Sequence, residues 1–394
     1  MPSTDVPGSP APQTQHTPAR RRLRVAILGA GMIGEVHRRA ALLAGAEVAG
    51  VLASTPQRSA EVGAAWGVHG YADLAEVLAD DVDVVHVCTP NAQHAPAAAA
   101  ALSAGKHVVC EKPLGISLAE AEALAAQAEA SGLVATVPFV YRYHPLVREL
   151  RARVGYGEFG TWNLLHGSYL QDWMLAPEAS GWRVDPAAGG PSRAFADIGS
   201  HWCDLVEFVS GVRFADLVAT VSIVVPERPA AGGKAFSGDS GGELVPVSTE
   251  DSALVLLRTG DGVPASTVIS QVSAGRKNRL WFELDGSRGS AVFDQENPET
   301  VWLGGPEVDR VLHRDPGAGS PEQRRLATLP AGHAQGYAQC FELFVADTYA
   351  AIRGERPDGL PTFADGARSA RIVDAVLRSV DEGTWTPISN GAES

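Results

Sequence analysis

Over residues 23–143, short apolar runs alternate with longer stretches of helical period. Arg24-Val25-Ala26-Ile27-Leu28 reads as a buried strand, and residues 32–44 as the helix that follows it. Further strands are predicted at 47–52, 82–88, 107–110 and 133–140, with helices at 56–66, 74–78, 95–104 and 117–131. Gly67 and Gly105 end two of these helices. Strands alternating with helices predict a parallel sheet covered on both faces.

From about residue 144 the pattern changes. Helices are predicted at 145–153 and 202–209, then strands at 217–225, 252–257, 266–272, 280–284 and 291–293. Turn residues such as Asp285-Gly286 and Thr259-Gly260-Asp261-Gly262 separate them, which predicts a largely antiparallel sheet. Residues 229–250 are rich in Gly, Ala and Ser and are expected to be a mobile loop. Helices at 337–352 and 364–379 close the chain. No internal repeat is visible.

Bulk properties narrow the field. The chain has 394 residues, enough for two domains. It is 45% hydrophobic and 20% charged, as in ordinary folded soluble proteins. Its formal net charge of −14 disfavours nucleic acid or an anionic membrane surface as a main partner. No apolar run approaches the ~18 residues of a membrane span. Residues 1–22 are rich in Pro, Ser, Thr and Gln, lack an apolar secretory stretch and end in Arg20-Arg21-Arg22. They read as a disordered tail, and 389–394 as a flexible one. Cys88, Cys110, Cys203 and Cys340 form no C-x-x-C pair, which fits a reducing cytoplasm and gives zinc little support.

Three motifs carry the chemistry. The first is Gly29-Ala30-Gly31-Met32-Ile33-Gly34, between a strand and a helix. Gly29 permits the tight turn, Gly31 leaves room for a pyrophosphate, and Gly34 lets helix and strand pack closely. The helix start then turns free N–H groups toward the phosphates. In another α/β protein the same glycines would make a plain turn. A carboxylate for the ribose is expected about 20 residues on. The chain instead has Val51-Leu52-Ala53-Ser54-Thr55-Pro56-Gln57-Arg58. Ser54, Thr55 and Arg58 could receive a 2′-phosphate, which tilts the cofactor expectation from NAD alone toward NADP or both.

The second motif is Glu111-Lys112-Pro113, at the C-terminal end of the strand at 107–110, where open α/β sheets bind ligands. Lys106 follows a glycine in a polar turn and reads as solvated. Glu111 could hold the direction of Lys112, or the two could be a structural pair. The third motif is Asp197-Ile198-Gly199-Ser200-His201. Asp197 and His201 are four apart and share a face if both start a helix. An N-cap aspartate and a satisfied helix histidine are the plain alternatives. A loop, Gly189-Gly190-Pro191-Ser192-Arg193, precedes them. Oxidising a carbinol needs a base for the hydroxyl proton, and histidine titrates in the right range. A lysine ammonium can stabilise the developing alkoxide.

With these motifs in this order, the chain resembles the Gfo/Idh/MocA family of sugar and inositol dehydrogenases over residues 23–388. The resemblance implies an N-terminal Rossmann NAD(P)-binding domain at 23–143. It also implies a C-terminal α+β domain at 144–388, with a large, mostly antiparallel open sheet, for substrate and oligomerisation. It makes Lys112 the catalytic lysine, Asp197 a substrate-positioning aspartate and His201 the general base. It assigns Thr89, Pro90, Asn91 and His94 to the nicotinamide side, together with Glu111, and has Arg142 of Tyr141-Arg142-Tyr143-His144-Pro145 reach cofactor or substrate. A homodimer or homotetramer is implied as well.

Tyr169-Leu170-Gln171-Asp172-Trp173 is similar to a segment of levoglucosan-dehydrogenase-like enzymes that oxidise glycosides at the 3-hydroxyl. That places Gln171, Asp172 and Trp173 near substrate, with Trp182, Arg183 and His333 as further candidates for the same pocket. The leading expectation is an NAD(P)-dependent dehydrogenase acting on a secondary alcohol of a sugar, glycoside or cyclitol. Two alternatives stand beside it. One enzyme would retain NAD and use transient oxidation for glycoside cleavage or epimerisation. The other is a nucleotide-sensing regulator, against which the presence of both Lys112 and His201 counts.

Overall fold

The protein is described from a computed structural model over residues 21–230 and 243–389. The expected tails at 1–22 and 389–394 lie almost wholly outside the described residues, as does the middle of the expected loop at 229–250.

The first sheet has six parallel strands. They are β1 (Arg24–Leu28), β2 (Glu47–Leu52), β3 (His69–Gly70), β4 (Val84–Val87), β5 (His107–Cys110) and β6 (Ala135–Thr136), in the order β3-β2-β1-β4-β5-β6. Helices α1 (Met32–Leu43), α2 (Pro56–Trp66), α3 (Leu74–Ala79), α4 (His94–Ser103) and α5 (Leu118–Ser131) connect them. Local chemistry starts several helices: Thr55, Asp73 and Ser117 accept from backbone N–H groups at the starts of α2, α3 and α5. Val25, Ile27, Val84, Val85 and Val109 are fully buried, as strands covered on both faces require. The strand expected at 133–140 is cut to Ala135–Thr136. Pro138 has no N–H for a ladder, Val137 N donates to Pro361 O instead, and Val140–Tyr143 is a 3₁₀ turn.

The remaining elements are α6 (Pro145–Gly155), β7 (Trp162–Leu170), α7 (Pro186–Gly189), α8 (Ser200–Ser210), β8 (Phe214–Ser222), β9 (Glu227–Pro229), β10 (Leu244–Pro246) and β11 (Ser252–Thr259). After them come β12 (Pro264–Ser270), β13 (Arg279–Gly286), β14 (Ser290–Asp294), β15 (Thr300–Gly304), β16 (Arg310–His313), α9 (Pro321–Leu326), α10 (Tyr337–Ile352), α11 (Phe363–Glu382) and β17 (Thr386–Pro387). Nine of these strands form the second sheet, in the order β16-β15-β14-β13-β7-β12-β11-β8-β17. Every neighbouring pair is antiparallel except β7 with β12.

Central strand β7 has no clean alternation and no sequence signal. Its Gly167 allows a close approach: a Cβ there would sit 2.6 Å from the Trp202 indole nitrogen. That indole donates to Trp281 O at 3.0 Å and fastens α8 to the sheet. Trp202 and Phe214 stack with centroids 6.2 Å apart inside the core between sheet and helices.

The 229–250 segment is not simply a loop. Its two ends pair as β9 and β10, and Thr249, Glu250 and Asp251 are buried. Helix α10, far along the chain, returns to the first sheet, where Phe341, Phe344, Val345 and Tyr349 pack with Val25 and Ile27.

Candidate active site

Strand order reverses between β1 and β4, which opens a crevice at the C-terminal ends of the strands. The glycines of the first turn face it differently. Gly29 has φ +104°, and a Cβ there would lie 2.4 Å from Cys88 O. A Cβ on Gly34 would lie 2.0 Å from Gly29 O. Gly31 has an ordinary extended backbone, and a Cβ on it meets nothing within 4 Å. No side chain caps α1, so its first N–H groups and the space over Gly31 fit an anionic pyrophosphate. Met32 stands exposed beside this space, while Ile33 packs inward. Ser54, Thr55 and Arg58 are exposed where β2 meets α2. Thr55 Oγ1 accepts from Arg58 N at 3.1 Å, and the Arg58 guanidinium pairs with Glu61 at 3.1 Å.

The loops after β4 and β5 are held to one another by His94. Its ring nitrogens lie 2.8 Å from Thr89 O and 2.7 Å from Pro113 O. Burial keeps this imidazole below its ordinary pKa. Asn91, after Pro90, donates to Gly189 O at 2.8 Å and joins the nucleotide side to the loop ahead of α8.

Lys112, just past β5, reaches across to the third motif. Its Nζ donates to Asp197 Oδ1 at 2.6 Å and to Asp197 O at 2.9 Å. Asp197 is not an N-cap: it sits inside a π-helical turn, Phe195–Gly199, that runs into α8. Such wide turns tend to occur at functional sites because they aim one residue out of the helical register. The turn is anchored by Glu250, whose carboxylate accepts from Ser192 Oγ and from the backbone of Arg193 and Phe195. The second oxygen of Asp197 accepts from Gln271 Nε2 at 2.8 Å and faces Arg183 Nε at 3.9 Å. Burial opposes ionisation of Asp197, but Lys112 and Arg183 outweigh it and hold the carboxyl well below the usual range.

His201 lies on α8, with Tyr141 and Phe139 meeting its ring edge-on at 5.3 and 5.7 Å. Its Nδ1 is shielded and has no partner among the described residues. Burial first, and the Lys112 charge second, push its pKa down to about 3. It is neutral at pH 7, as a proton acceptor must be.

A polar cluster lies beside this histidine. Tyr141 and Tyr169 share a hydrogen bond at 2.8 Å, and Tyr169 and Gln171 both donate to Asn278 Oδ1 at 2.7 and 2.8 Å. Trp173 Nε1 donates to Gln171 Oε1 at 2.8 Å. The Arg183 guanidinium stands 4.4 Å from the Trp182 ring and 5.9 Å from the Trp173 ring. Gln171, Trp173, Trp182 and Arg183 are thus linked to the Asp197–His201 centre.

Other candidates have different surroundings. Asp172 pairs with Lys277 at 2.6 Å and accepts from Gly275 N. His333 is exposed, and its carbonyl accepts from Arg314. Arg142 is buried, with its guanidinium bound by Asp204 of α8 and Asp365 of α11.

Residues 23–139 match the oxidoreductase family with an NAD-binding Rossmann fold, and residues 147–292 match the GFO/IDH/MocA C-terminal domain. Levoglucosan dehydrogenase of Pseudarthrobacter phenanthrenivorans is 31% identical over 388 residues, covering 93% of this chain and 98% of that protein. The chain belongs to the Gfo/Idh/MocA oxidoreductase family.

Two solved structures of this family show the same fold. Levoglucosan dehydrogenase in complex with NADH and L-sorbose has a TM-score of 0.85 at 28% identity, covering 94% of this chain and 99% of the other. An inositol dehydrogenase homolog of Azotobacter vinelandii, complexed with NADH and myo-inositol, has a TM-score of 0.80 at 28% identity, covering 93% and 98%. This Gfo/Idh/MocA protein is therefore an oxidoreductase with an NAD-binding Rossmann domain. No helix among the described residues is long and apolar enough to cross a membrane.

Three residues at the centre of this Gfo/Idh/MocA site had no sequence signal: Glu250, Gln271 and Asn278. Each is a polar residue in or beside a strand end, with no motif around it. Only folding shows that Gln271 meets Asp197, that Asn278 gathers two tyrosines, and that Glu250 anchors the π-helical turn.

Proposed function

We propose that this protein oxidises a secondary alcohol of a sugar, glycoside or cyclitol, or reduces the corresponding ketone, with the 3-hydroxyl of a pyranose as the reacting position. The carrying observation is the Lys112–Asp197 pair beside a neutral His201 whose Nδ1 has no hydrogen-bond partner among the described residues. Bound NAD would supply the hydride acceptor. The glycine turn at Gly29–Gly34, with Thr89, Pro90, Asn91 and Glu111 at the neighbouring strand ends, would hold it.

The protein's own residues would handle the proton. An ammonium has three donors. Two of those on Lys112 are taken by Asp197, which leaves one for a substrate oxygen. That donor stabilises negative charge as it develops on the oxygen. His201 accepts the hydroxyl proton, and Asp197 holds Lys112 in place. Trp173 and Trp182 offer ring faces to a sugar, while Gln171 and Arg183 offer polar contacts. The similarity to levoglucosan dehydrogenase along nearly the whole chain supports a glycoside-type substrate.

Exposed Ser54, Thr55 and Arg58, with no carboxylate among residues 53–58, support use of NADP as well as NAD. The outer face of the second sheet leaves Leu254, Leu256 and Val268 exposed at 51%, 54% and 42%, which supports a homodimer or homotetramer formed there. Four buried free cysteines support a reducing, cytoplasmic setting.

The test is nicotinamide absorbance with NAD or NADP and a panel of sugars, glycosides and inositols. A rise at 3-hydroxyl glycosides is expected. Bound nucleotide with no rise on any substrate would sink the proposal.

A further inference from the structure

Beneath the strand ends that carry Lys112, four polar side chains form a chain inside the protein. Glu111 Oε1 lies 3.1 Å from His37 Nε2. His37 Nδ1 lies 2.8 Å from His86 Nδ1. His86 Nε2 lies 2.9 Å from the Tyr349 hydroxyl. His37 and His86 have no exposed surface, nor does Tyr349, and Glu111 is 8% exposed. The four come from α1, β4, the end of β5 and α10.

The protons of this chain can be placed. A neutral imidazole has one N–H and one lone pair, and a carboxylate only accepts. His37 must therefore donate to Glu111 through Nε2, which makes its Nδ1 an acceptor. His86 then donates through Nδ1 and accepts at Nε2, where Tyr349 supplies its hydroxyl proton. All three bonds point toward Glu111. With neutral rings, any other tautomer sets lone pair against lone pair or donor against donor. With protons on both nitrogens of His37, the His37–His86 and His86–Tyr349 bonds would run the other way and leave the Tyr349 hydroxyl proton without an acceptor among the described residues.

We propose that His37, His86 and Tyr349 are positioning residues for hydride transfer: a one-way donor chain that fixes the Glu111 carboxylate and, through it, Lys112. The second oxygen of Glu111 accepts from Lys112 N at 3.2 Å, so the chain ends on the backbone of the catalytic lysine. Its other members sit on α1, which opens at the pyrophosphate turn, and on α10. The nucleotide helix and the lysine are thereby locked in one frame. This inference rests on the dehydrogenase reading above.

Other groups facing the chain are fixed. Glu111 is within electrostatic reach of Lys112, His94 of α4 and Tyr337 of α10, with the Cys88 and Cys110 thiols nearby. Tyr349 is reached by Arg353. The Phe341 ring closes over His37 with centroids 4.7 Å apart.

The first experiment is ¹⁵N NMR of histidine-labelled protein at pH 7.5. The expected result is His86 as the Nδ1–H tautomer and His37 with its proton on Nε2. A proton on Nε2 of His86 would overturn the proposal, whether or not any substrate is known. The second experiment measures kcat, KM for NAD and the pH profile of kcat in variants. His37→Leu should lower kcat about tenfold or more, since small misplacement of catalytic groups has effects of that size. Its KM for NAD should stay within about twofold, and the acid limb of its kcat profile should move to higher pH. His37→Gln keeps an amide donor for Glu111 and a carbonyl for His86, and should restore most of the rate. A lower Tm in both variants with kcat and pH profile unchanged would mean that the chain is only structural. If the wild-type protein turns over no substrate, the dehydrogenase reading fails, while the tautomers still decide the chain.

Discussion

The Lys112 ammonium is bound twice by a single residue, at the carboxylate and at the carbonyl of Asp197, at 2.6 and 2.9 Å. The two residues are 85 positions apart and belong to different sheets' connections. This contact turns a strand end and a π-helical turn into one site. It predicts that Lys112→Ala lowers kcat by at least about 10²-fold, the usual scale for losing a preorganised charge donor. NADH affinity, read by fluorescence titration, should stay roughly intact. Near-normal turnover would remove Lys112 from the chemistry.

The proposed reaction gives His201 the hydroxyl proton. His201→Ala should lose most activity near pH 7 and recover part of it at higher pH, where the hydroxyl needs less help to ionise. A pH–rate series for both proteins checks this. A variant whose profile is flat and equal to the wild type would point to another base.

Gly31 and Gly34 separate folding from binding. Gly31→Ala adds a Cβ that meets no protein atom within 4 Å, on an ordinary backbone. Its Tm should match the wild type, while its Kd for NADH rises about tenfold or more because the pyrophosphate loses that space. Gly34→Ala would push a Cβ to 2.0 Å from Gly29 O and should destabilise the fold itself. Thermal melts with calorimetric binding distinguish the two. A wild-type Kd in Gly31→Ala would move the pyrophosphate elsewhere.

Buried histidines set the acid stability. His86, His94, His144 and His201 are all held below their ordinary value by burial, His144 to about 4 and His201 to about 3. Their folded pKa values are depressed, so the unfolded chain binds more protons below pH 6.5. Stability from these groups is complete above that value and is lost as pH falls from about 6.5 toward the depressed values. Denaturant melts between pH 7.5 and 5 should show falling stability as the pH drops, with net proton uptake on unfolding. Constant stability over that range would contradict the burial of these rings in neutral form.

Asn278 gathers Tyr141, Tyr169 and Gln171 beside His201. Asn278→Ala should raise KM for the carbohydrate more than it lowers kcat, as expected for a group that orders the pocket without touching the proton path. An unchanged KM with a collapsed kcat would assign it to the chemistry.

The sequence by itself determined strands β1, β2, β4 and β5 of the first sheet, their helices and the glycine turn after β1. Their signals are local: buried strands are continuous apolar runs, helices carry a 3.6-residue period, and Gly29 and Gly34 stand where no Cβ fits. It also singled out Lys112, Asp197 and His201, because their residue types and order are confined to short motifs. What only the tertiary structure decided depends on contacts between distant segments. Strand β7 has no pattern of its own and is fixed by its neighbours β12 and β13, one parallel and one antiparallel. The strand expected at 133–140 stops early because Pro138 and the partner at Pro361 redirect it. The end of the 229–250 segment at Glu250 is fixed because its carboxylate is bound by the turn that carries Asp197. Gln271, Asn278 and the His37–His86–Tyr349 chain are isolated polar residues in the sequence. Their roles come from burial, where each polar group must find a partner, and the partner is chosen by the fold.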